Sequence, residues 1–274
     1  MRGARITRIF LAVFAALAVL LPAAARASEQ GVKLSRVSVN LRDAASLQAG
    51  ARTFVNYCLN CHSASMMRYI RLVDIGLSEQ QIRENLLFSA DKVGEMMNVA
   101  MTRKDAKEWF GAPPPDLTVI ARARGPDWLY TYLRGFYRDP GMATGWNNLV
   151  FERAAMPHVL WTLQGTPVLE VREFNTGNEA EAARIQARSL SVLAEQGEGD
   201  ARRHVLKTLR LESAGSLTPV QYDGVVRDLV NFLVWMSEPT QEARKQTGIV
   251  VLLCLGVLLI LTWLLYKAYW KDVH

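Results

Sequence analysis

The stretch Tyr57-Cys58-Leu59-Asn60-Cys61-His62-Ser63 gathers two of the chain's three cysteines within four positions and follows them at once with a histidine. Three kinds of site share this pattern: a structural zinc ion, a redox-active dithiol, and the attachment point of a c-type haem. The compartment of the chain and the elements around the stretch distinguish between these alternatives.

The N-terminus has the order of a secretory signal peptide. Three arginines precede an apolar run over residues 9–21, and small residues follow up to Ala27. We predict that residues 1–27 are removed, with cleavage after Ala27. The alternative is an uncleaved anchor, but this apolar run is short for a membrane span. In both cases the chain that begins at Ser28 emerges outside the cytoplasm.

A second apolar segment, residues 247–266, contains 20 residues and no charge. At about 1.5 Å per residue a helix of that length crosses a bilayer core. Basic residues flank both ends equally, so orientation rests on the signal peptide that comes before this stop-transfer helix. We predict an extracytoplasmic domain at 28–243, an anchor at 244–268 and a cytoplasmic tail at 269–274. The alternative is a buried helix of a soluble protein.

Charge gives no argument for a nucleic-acid partner. The whole chain has 32 basic and 26 acidic residues, and the signal peptide contains four of the arginines and no acid. The mature chain therefore keeps 28 basic against 26 acidic residues. A balance this close to zero, in an exported domain, predicts no binding of nucleic acid.

The cysteines favour haem over zinc and over a dithiol. Cys254 falls within the membrane segment, so only Cys58 and Cys61 lie outside it and no disulfide framework is expected. Structural zinc needs four ligands, and the remaining two would have to come from scattered histidines. A thioredoxin-like dithiol follows a strand, whereas residues 44–57 have a helical pattern and strand patterns are scarce.

Haem attachment fits both the spacing and the compartment. Sulfurs at positions i and i+3 lie on one side of a helical turn, a separation that suits two thioether bonds to one porphyrin edge. We predict one covalent haem c attached through Cys58 and Cys61, with His62 as an axial ligand of its iron.

A second axial ligand distinguishes an electron carrier from a haem with an open iron. The candidates beyond the signal peptide are Met66, Met67, Met96, Met97, Met101, Met142, Met156, Met236, His158, His204 and His274. The first two follow His62 too closely, the next three are predicted on a helix that faces a core, and Met142 and Met236 belong to a turn and an amphipathic helix. Met156 precedes Pro157 in an irregular segment, which suits a ligand on a loop. Met156 is favoured and His158 is the alternative.

Helical patterns dominate the rest of the domain. Helices are predicted at residues 44–57, from Ser78 to about Phe88, from Gly125-Pro126 with Trp128, Tyr132, Leu133 and Phe136 on one face, and from Thr218-Pro219 to Glu238 with Val226, Leu229, Val230 and Leu233 buried. The acidic, Ala-rich segment 175–200 is interpreted as a solvated helix or insertion, with a docking surface for a basic partner as the alternative.

The segment between these helices contains a stiff wall and two arginines. Pro113, Pro114 and Pro115 fix an extended backbone. Arg122 and Arg124 follow, and an arginine fork matches the carboxylate of a haem propionate. The alternative is that both arginines simply face solvent.

Taken in order, these motifs resemble the cytochrome c1 family. The resemblance rests on CLNCH at 58–62, PPPDL at 113–117, Ala121-Arg122 ahead of Asp127-Trp128, Ala155-Met156-Pro157, and DLVNFLVWMSEP at 228–239 before the membrane segment. It covers the chain from about residue 40 to the C-terminus. It implies a mainly α, cytochrome c-like haem domain with insertions, plus one C-terminal transmembrane helix.

The resemblance also implies roles for single residues. Met156 matches the distal axial ligand of the family, Arg122 matches an arginine near a haem propionate, and Pro114 and Pro115 match prolines that line the haem. Trp128 stands where a tyrosine is common in the family, so the hydrogen bond of that hydroxyl is not expected here. The chain also lacks the extra cysteine pair that some members carry.

The function implied is a one-electron relay within a quinol:cytochrome c oxidoreductase. A Rieske iron–sulfur protein would reduce the haem, a soluble cytochrome c would accept the electron, and cytochrome b would oxidise quinol in the same inner membrane. The haem domain would face the periplasm. Two alternatives remain: a membrane-anchored cytochrome that shuttles electrons outside such a complex, and a haem enzyme or sensor with an open iron. Arg153, near the distal loop, has no assigned role.

Overall fold

The computed structural model describes residues 32–187, 190–196 and 203–271. The predicted signal peptide, residues 1–27, and residues 272–274 of the predicted tail lie outside these ranges.

The described chain contains nine α-helices and seven strands, interspersed along the sequence. The helices are α1 Ala44–Thr53, α2 Glu79–Asn85, α3 Arg103–Phe110, α4 Ile120–Arg124, α5 Pro126–Arg134, α6 Trp161–Gln164, α7 Gly177–Ala187, α8 Pro219–Ser237 and α9 Gln241–Tyr269. The strands are β1 Ala64–Arg68, β2 Met96–Met97, β3 Phe136–Arg138, β4 Trp146–Asn148, β5 Gly165–Phe174, β6 Ser191–Gln196 and β7 Arg203–Ala214. A π-helical turn, Phe54–Cys58, continues α1, and a 3₁₀ helix spans Tyr69–Ile75.

Two helices far apart in sequence, α1 and α8, form the centre of the core. A Cβ atom on Gly50 would lie 2.1 Å from the carbonyl oxygen of Asp228, so only glycine permits this close crossing. Phe54 and Phe232 pack one turn away with ring centroids 5.6 Å apart. Helix α8 begins after Thr218, at Pro219, as predicted, and it ends at Ser237. Thr218 also forms a capping box with Gln221. This crossing fixes the end of α1 that leads into the CxxCH stretch.

The chain forms a five-stranded sheet, although strand patterns are scarce in its sequence. Its five strands lie in the order β4-β3-β5-β7-β6, with β3 and β5 parallel and the other pairs antiparallel. A small apolar cluster that includes Tyr137, Val150 and Val192 packs against it. The described part of the polar segment 175–200 forms α7, of which Ala180 is buried, and the edge strand β6.

The helix predicted around Met96 and Met97 is wrong. Both residues form β2, which pairs with β1 directly after the CxxCH stretch. The backbone amide of Tyr69 also donates to the carbonyl of Glu95. If residues 96 and 97 were helical, the main-chain groups of β1 would lose these hydrogen-bond partners. Tertiary contacts therefore outweigh helix propensity here. Met97 nevertheless lies in the core, as predicted.

The predicted anchor segment lies in α9, which is 29 residues long and contains an 18-residue stretch with a mean hydropathy of 2.9. Within the described ranges it is the one helix long and apolar enough to cross a membrane. The predicted anchor, 244–268, lies inside it. Near its start, the Arg42 guanidinium lies 2.9 Å from the Glu242 carboxylate and links the anchor to the domain.

Candidate haem-binding site

A cavity of about 360 Å³ lies between the CxxCH stretch and the loop that carries Met156. Its volume is in the range of cofactor clefts. The lining is largely apolar and comes from separate parts of the chain: Tyr57, Cys58, Cys61, His62, Phe110, Ala112, Pro113, Pro114, Pro115, Leu117, Ile120, Arg124, Trp128, Leu129, Tyr132, Leu133, Phe151, Ala154, Ala155, Met156, Pro157, Val159, Leu229 and Leu233.

The two cysteines reach this cavity on a tight turn at the end of α1. Amides of Cys61 and His62 both donate to the carbonyl of Cys58, at 3.1 and 2.9 Å. Burial and the neighbouring Cys61 raise the pKa of Cys58 to about 12, and burial raises the pKa of Cys61. Redox dithiols and thiolate ligands depend instead on a lowered pKa. Nor do the described residues contain a group of three or more metal-ligating side chains. The raised pKa values argue against a redox dithiol, and attachment of a haem to the two cysteines stays a prediction.

His62 is held in one orientation by the proline wall. Its Nδ1 lies 2.7 Å from the carbonyl oxygen of Pro115, so Nδ1 carries the proton and donates. Burial lowers the pKa of His62, although that hydrogen bond acts to raise it. Because the net effect is a lowered pKa, the ring is neutral at neutral pH. A neutral imidazole whose Nδ1–H is already bonded keeps Nε2 as the atom for a metal.

Asp116 ties the segment after His62 to the same wall. Its carboxylate accepts hydrogen bonds from the backbone amides of Ser65 and Thr118, each at 2.8 Å. Although partial burial opposes the shift, these bonds hold the pKa of Asp116 below its ordinary value. The Leu117 amide adds a backbone bond to the Ser63 carbonyl at 2.8 Å. The proline segment therefore contacts both the His62 side chain and the backbone that follows it.

Met156 lies on an irregular loop and meets an aromatic group from α5. The Tyr132 hydroxyl donates to the Met156 Sδ at 3.6 Å. The Tyr132 ring stacks on Trp128 with centroids 4.8 Å apart, and Phe136 packs edge-on at 5.1 Å. Burial raises the pKa of Tyr132 to about 12, so the phenol stays protonated and remains a donor at neutral pH.

Two buried asparagines hold the loop that leads to Met156. The side-chain oxygen of Asn148 accepts from the amides of Val150 and Phe151, while its side-chain nitrogen donates to the carbonyl of Tyr132 at 2.8 Å. The side-chain oxygen of Asn147 accepts from the Arg153 amide at 2.8 Å. Arg153 itself has a left-handed backbone with a φ of 60°. The loop is thus fastened to α5 by side chains.

The structure distinguishes between the two candidates for the second axial ligand. Met156 lines the cavity, whereas His158 does not. The His158 ring is 1% exposed, stacks on Phe136 and meets Trp146 edge-on, each with centroids 5.1 Å apart. Burial lowers the pKa of His158 to about 4. His158 is therefore a neutral core residue, and Met156 is the candidate of the two that faces the cavity.

Pro114, Pro115 and Trp128 line the cavity, but the two arginines differ. Arg124 belongs to the lining and lies 5.0 Å from the centroid of the Trp128 ring. Arg122 is exposed and absent from the lining. The hydrogen bond from Arg244 is the main cause that lowers the pKa of Glu238, and the charge of Arg122 adds to it. A contact between Arg122 and a propionate therefore stays a prediction, and Arg124 is the arginine at the cavity.

Three residues contribute to the site in ways that were not predicted from the sequence. Tyr132 was predicted on a buried helix face, but its contact with Met156 was not. Leu229 was predicted in the core but not at the cavity, and no role was predicted for Asn148. Only the last carries a usable signal, since two consecutive asparagines between apolar residues suggest a local hydrogen-bonding role.

The residues present fit a haem c. Two thiols, an oriented imidazole and a thioether meet in one apolar cavity, and these are the groups that attach and ligate such a cofactor.

Comparison with known proteins identifies the family of the chain. The model of the Cytochrome C1 family matches residues 36–166 and 215–273. The cytochrome c1 of Allochromatium vinosum is 44% identical over 268 residues, covering 97% of this chain and 99% of that protein. The ammonia monooxygenase gamma subunit of Nitrosomonas europaea is 45% identical over 262 residues, covering 95% and 98%. The cytochrome c1 of Rhodospirillum rubrum is 28% identical over 293 residues, covering 95% and 96%. The predicted family and fold class are confirmed, and residues 167–214, which hold most of β5 with α7, β6 and β7, lie outside the family match.

Proposed function

Because the chain belongs to the cytochrome c1 family, we propose that Cys58 and Cys61 hold its haem c covalently and that His62 and Met156 are the axial ligands. Proteins of this family carry one covalent haem c and form the redox subunit of a bc1-type oxidoreductase. The observation that carries the residue assignment is that all four side chains line one apolar cavity.

Haem c supplies reversible one-electron chemistry, whose potential depends on axial ligands, hydrogen bonds and burial. The chain's own residues set these terms. His62 is held by its hydrogen bond to the Pro115 carbonyl, the prolines and leucines give the cavity an apolar lining, and the two thiols would hold one edge of the porphyrin. With His62 and Met156 as axial ligands the iron would have no open position for a substrate, and the proposed task is therefore transfer of an electron.

Electrons would enter from a Rieske iron–sulfur protein and leave to a soluble cytochrome c, with cytochrome b oxidising quinol in the same membrane. Exposed residues at the cavity support such contacts: Phe151 is 42% exposed, and Ala112, Pro115 and Ala155 are exposed as well. The helix α9 would hold the domain on the periplasmic side, close to where quinol is oxidised. Co-purification with cytochrome b and a Rieske protein tests this assignment against a free-standing shuttle.

A second candidate comes from the relative named ammonia monooxygenase gamma subunit. By that name, this chain would be part of a monooxygenase complex. The same co-purification decides, because monooxygenase subunits in place of cytochrome b would support the second candidate.

Absorption spectra of wild type and Met156→Leu test the ligand set. We expect a weak near-infrared band of methionine-to-ferric-iron charge transfer in wild type and its complete loss in Met156→Leu, together with a lower midpoint potential, since a methionine ligand raises that potential. Met66→Leu is the matched control, because Met66 is 74% exposed and lies outside the cavity lining. A Met156→Leu protein that stays low-spin with an unchanged potential contradicts the assignment, and ready binding of carbon monoxide to reduced wild type would indicate an open iron.

A further inference from the structure

We propose that Tyr132 is a positioning residue for the distal ligand: its hydroxyl donates a hydrogen bond to the Met156 sulfur and raises the reduction potential of the haem. The Tyr132 Oη and Met156 Sδ lie 3.6 Å apart, within reach of a hydrogen bond to sulfur. This inference rests on the proposed role of Met156 and goes beyond it, since Tyr132 itself need not touch the iron.

The Tyr132 ring has little freedom to turn away from Met156. Trp128 stacks on one face with an interplanar angle of 9°, and Phe136 meets the ring at 69°. Both contacts involve residues on the same short stretch of chain, so ring and neighbours move together. Within the described residues the hydroxyl has one hydrogen-bond partner, the Met156 sulfur.

The backbone of Tyr132 is clamped to the same loop by a separate contact. Asn148 donates to the Tyr132 carbonyl at 2.8 Å and accepts from the amide of Val150, which lies on the way to Met156. The hydroxyl and the thioether are therefore attached to two elements that are fastened to each other. A hydrogen bond between them costs little additional ordering.

The chemical consequence follows from the nature of a thioether. Its sulfur is a weak acceptor with two lone pairs, so one pair accepts from Tyr132 while the other stays available for a metal. Donation to the sulfur draws electron density from it and makes it a poorer donor. Ferric iron depends on ligand donation more than ferrous iron does, so the bond favours the reduced state.

The test compares Tyr132→Phe with Tyr130→Phe in the full-length protein loaded with haem. Each change removes one hydroxyl from α5, but Tyr130 does not line the cavity and instead lies under the Arg134 guanidinium. We expect the ratio of reduced to oxidised haem at a fixed electrode potential to fall about threefold in Tyr132→Phe and to stay unchanged in Tyr130→Phe. The methionine band should persist in both variants and shift only in Tyr132→Phe.

A potential in Tyr132→Phe equal to that of Tyr130→Phe, with the methionine band present, overturns the proposal. If Tyr132→Phe fails to assemble with haem, 3-fluorotyrosine at position 132 provides the test, because its more acidic hydroxyl is a stronger donor and should raise the potential; a lower or unchanged potential refutes the idea. Failure of the underlying ligand assignment is distinguishable, since wild type would then lack the methionine band altogether.

Discussion

The two segments that carry the proposed axial ligands are built in different ways. The π-helical turn after α1 ends at Cys58, and His62 follows it by one hydrogen-bonded turn. The amide of His62 donates to the Cys58 carbonyl four residues earlier. Met156 lies between β4 and α6, in a stretch with no regular helix or strand. One ligand is placed by continuous secondary structure and the other by side chains that hold a loop.

This difference explains why the His62 side of the site can be predicted from the sequence more directly than the Met156 side. Cys58, Cys61 and His62 lie within a single turn of the chain. Their spacing in sequence therefore determines their arrangement in space. The Met156 loop depends on Asn148 reaching Tyr132 and on Asn147 reaching Arg153, and no local pattern encodes those pairs. Damage to the two segments should therefore have different effects.

Asn148→Ala should produce the largest effect and confine it to the Met156 side. Asn148 is fully buried, and its loss leaves the amide of Val150 and the carbonyl of Tyr132 without this partner. We expect the free energy of unfolding to fall by about 3 kcal/mol. The methionine band should weaken at temperatures below global unfolding, while the haem stays attached. Thermal scans followed in that band and by circular dichroism measure both.

Asn98→Ala is the control for this change, because Asn98 is exposed and its side chain has no hydrogen bond among the described residues. It should leave the stability and the band unaltered. If Asn148→Ala lost the band and the secondary structure in one coincident transition, the loop would not be a separately held unit.

Asp116→Asn probes the His62 side and should have a smaller, pH-dependent effect. The carboxylate has a lowered pKa in the folded state, so its stabilisation is present above the ordinary aspartate pKa of about 4 and is lost as pH falls through the folded-state pKa. We expect wild type to exceed Asp116→Asn by about 1 kcal/mol at pH 7, with the difference shrinking in acid. Denaturant unfolding at several pH values measures it.

The matched control is Asp91→Asn, which removes an exposed carboxylate that has no hydrogen bond or ion pair among the described residues. Its stability should track wild type at every pH. A constant difference between wild type and Asp116→Asn from pH 7 to pH 3 would show that the charge of Asp116 does not matter to this segment.

Much of the fold was predictable where one local rule decides. Ser78 and Gln81 form the expected capping box, and Pro126 opens α5. The helix predicted from Ser78 to about Phe88 ends at Asn85, a difference of one turn at a frayed end. Thr218 opens α8 as predicted. Local capping chemistry therefore transfers well from sequence to structure.

The sheet was not predictable by the same means. Strand β5 shows no sustained alternation, since Val168 and Leu169 are neighbouring apolar residues and Arg172 and Glu173 are neighbouring charged ones. It becomes a strand through its long pairing with β7, some 40 residues later. Similarly, β2 exists because β1 lies beside it. Such partners are distant in sequence, so periodicity within one segment gives little warning. His158 shows the reverse case: its sequence position beside Met156 suggested a ligand, and burial against Phe136 made it core.

Substitution of Arg153 should have the smallest effect on stability. It tests whether the backbone of the Met156 loop is strained at this residue. A left-handed backbone costs a residue with a side chain about 1 kcal/mol or more, whereas glycine adopts it freely. Arg153→Gly should therefore stabilise the protein by about 0.5 kcal/mol, after subtracting the greater freedom that glycine has in the unfolded chain. Arg153→Ala removes the same charge but keeps the Cβ atom, so it should give no gain. If the reduction potential changes equally in both variants, the arginine acts through its charge; if stability rises in Arg153→Gly alone, the residue pays a conformational cost to aim the loop.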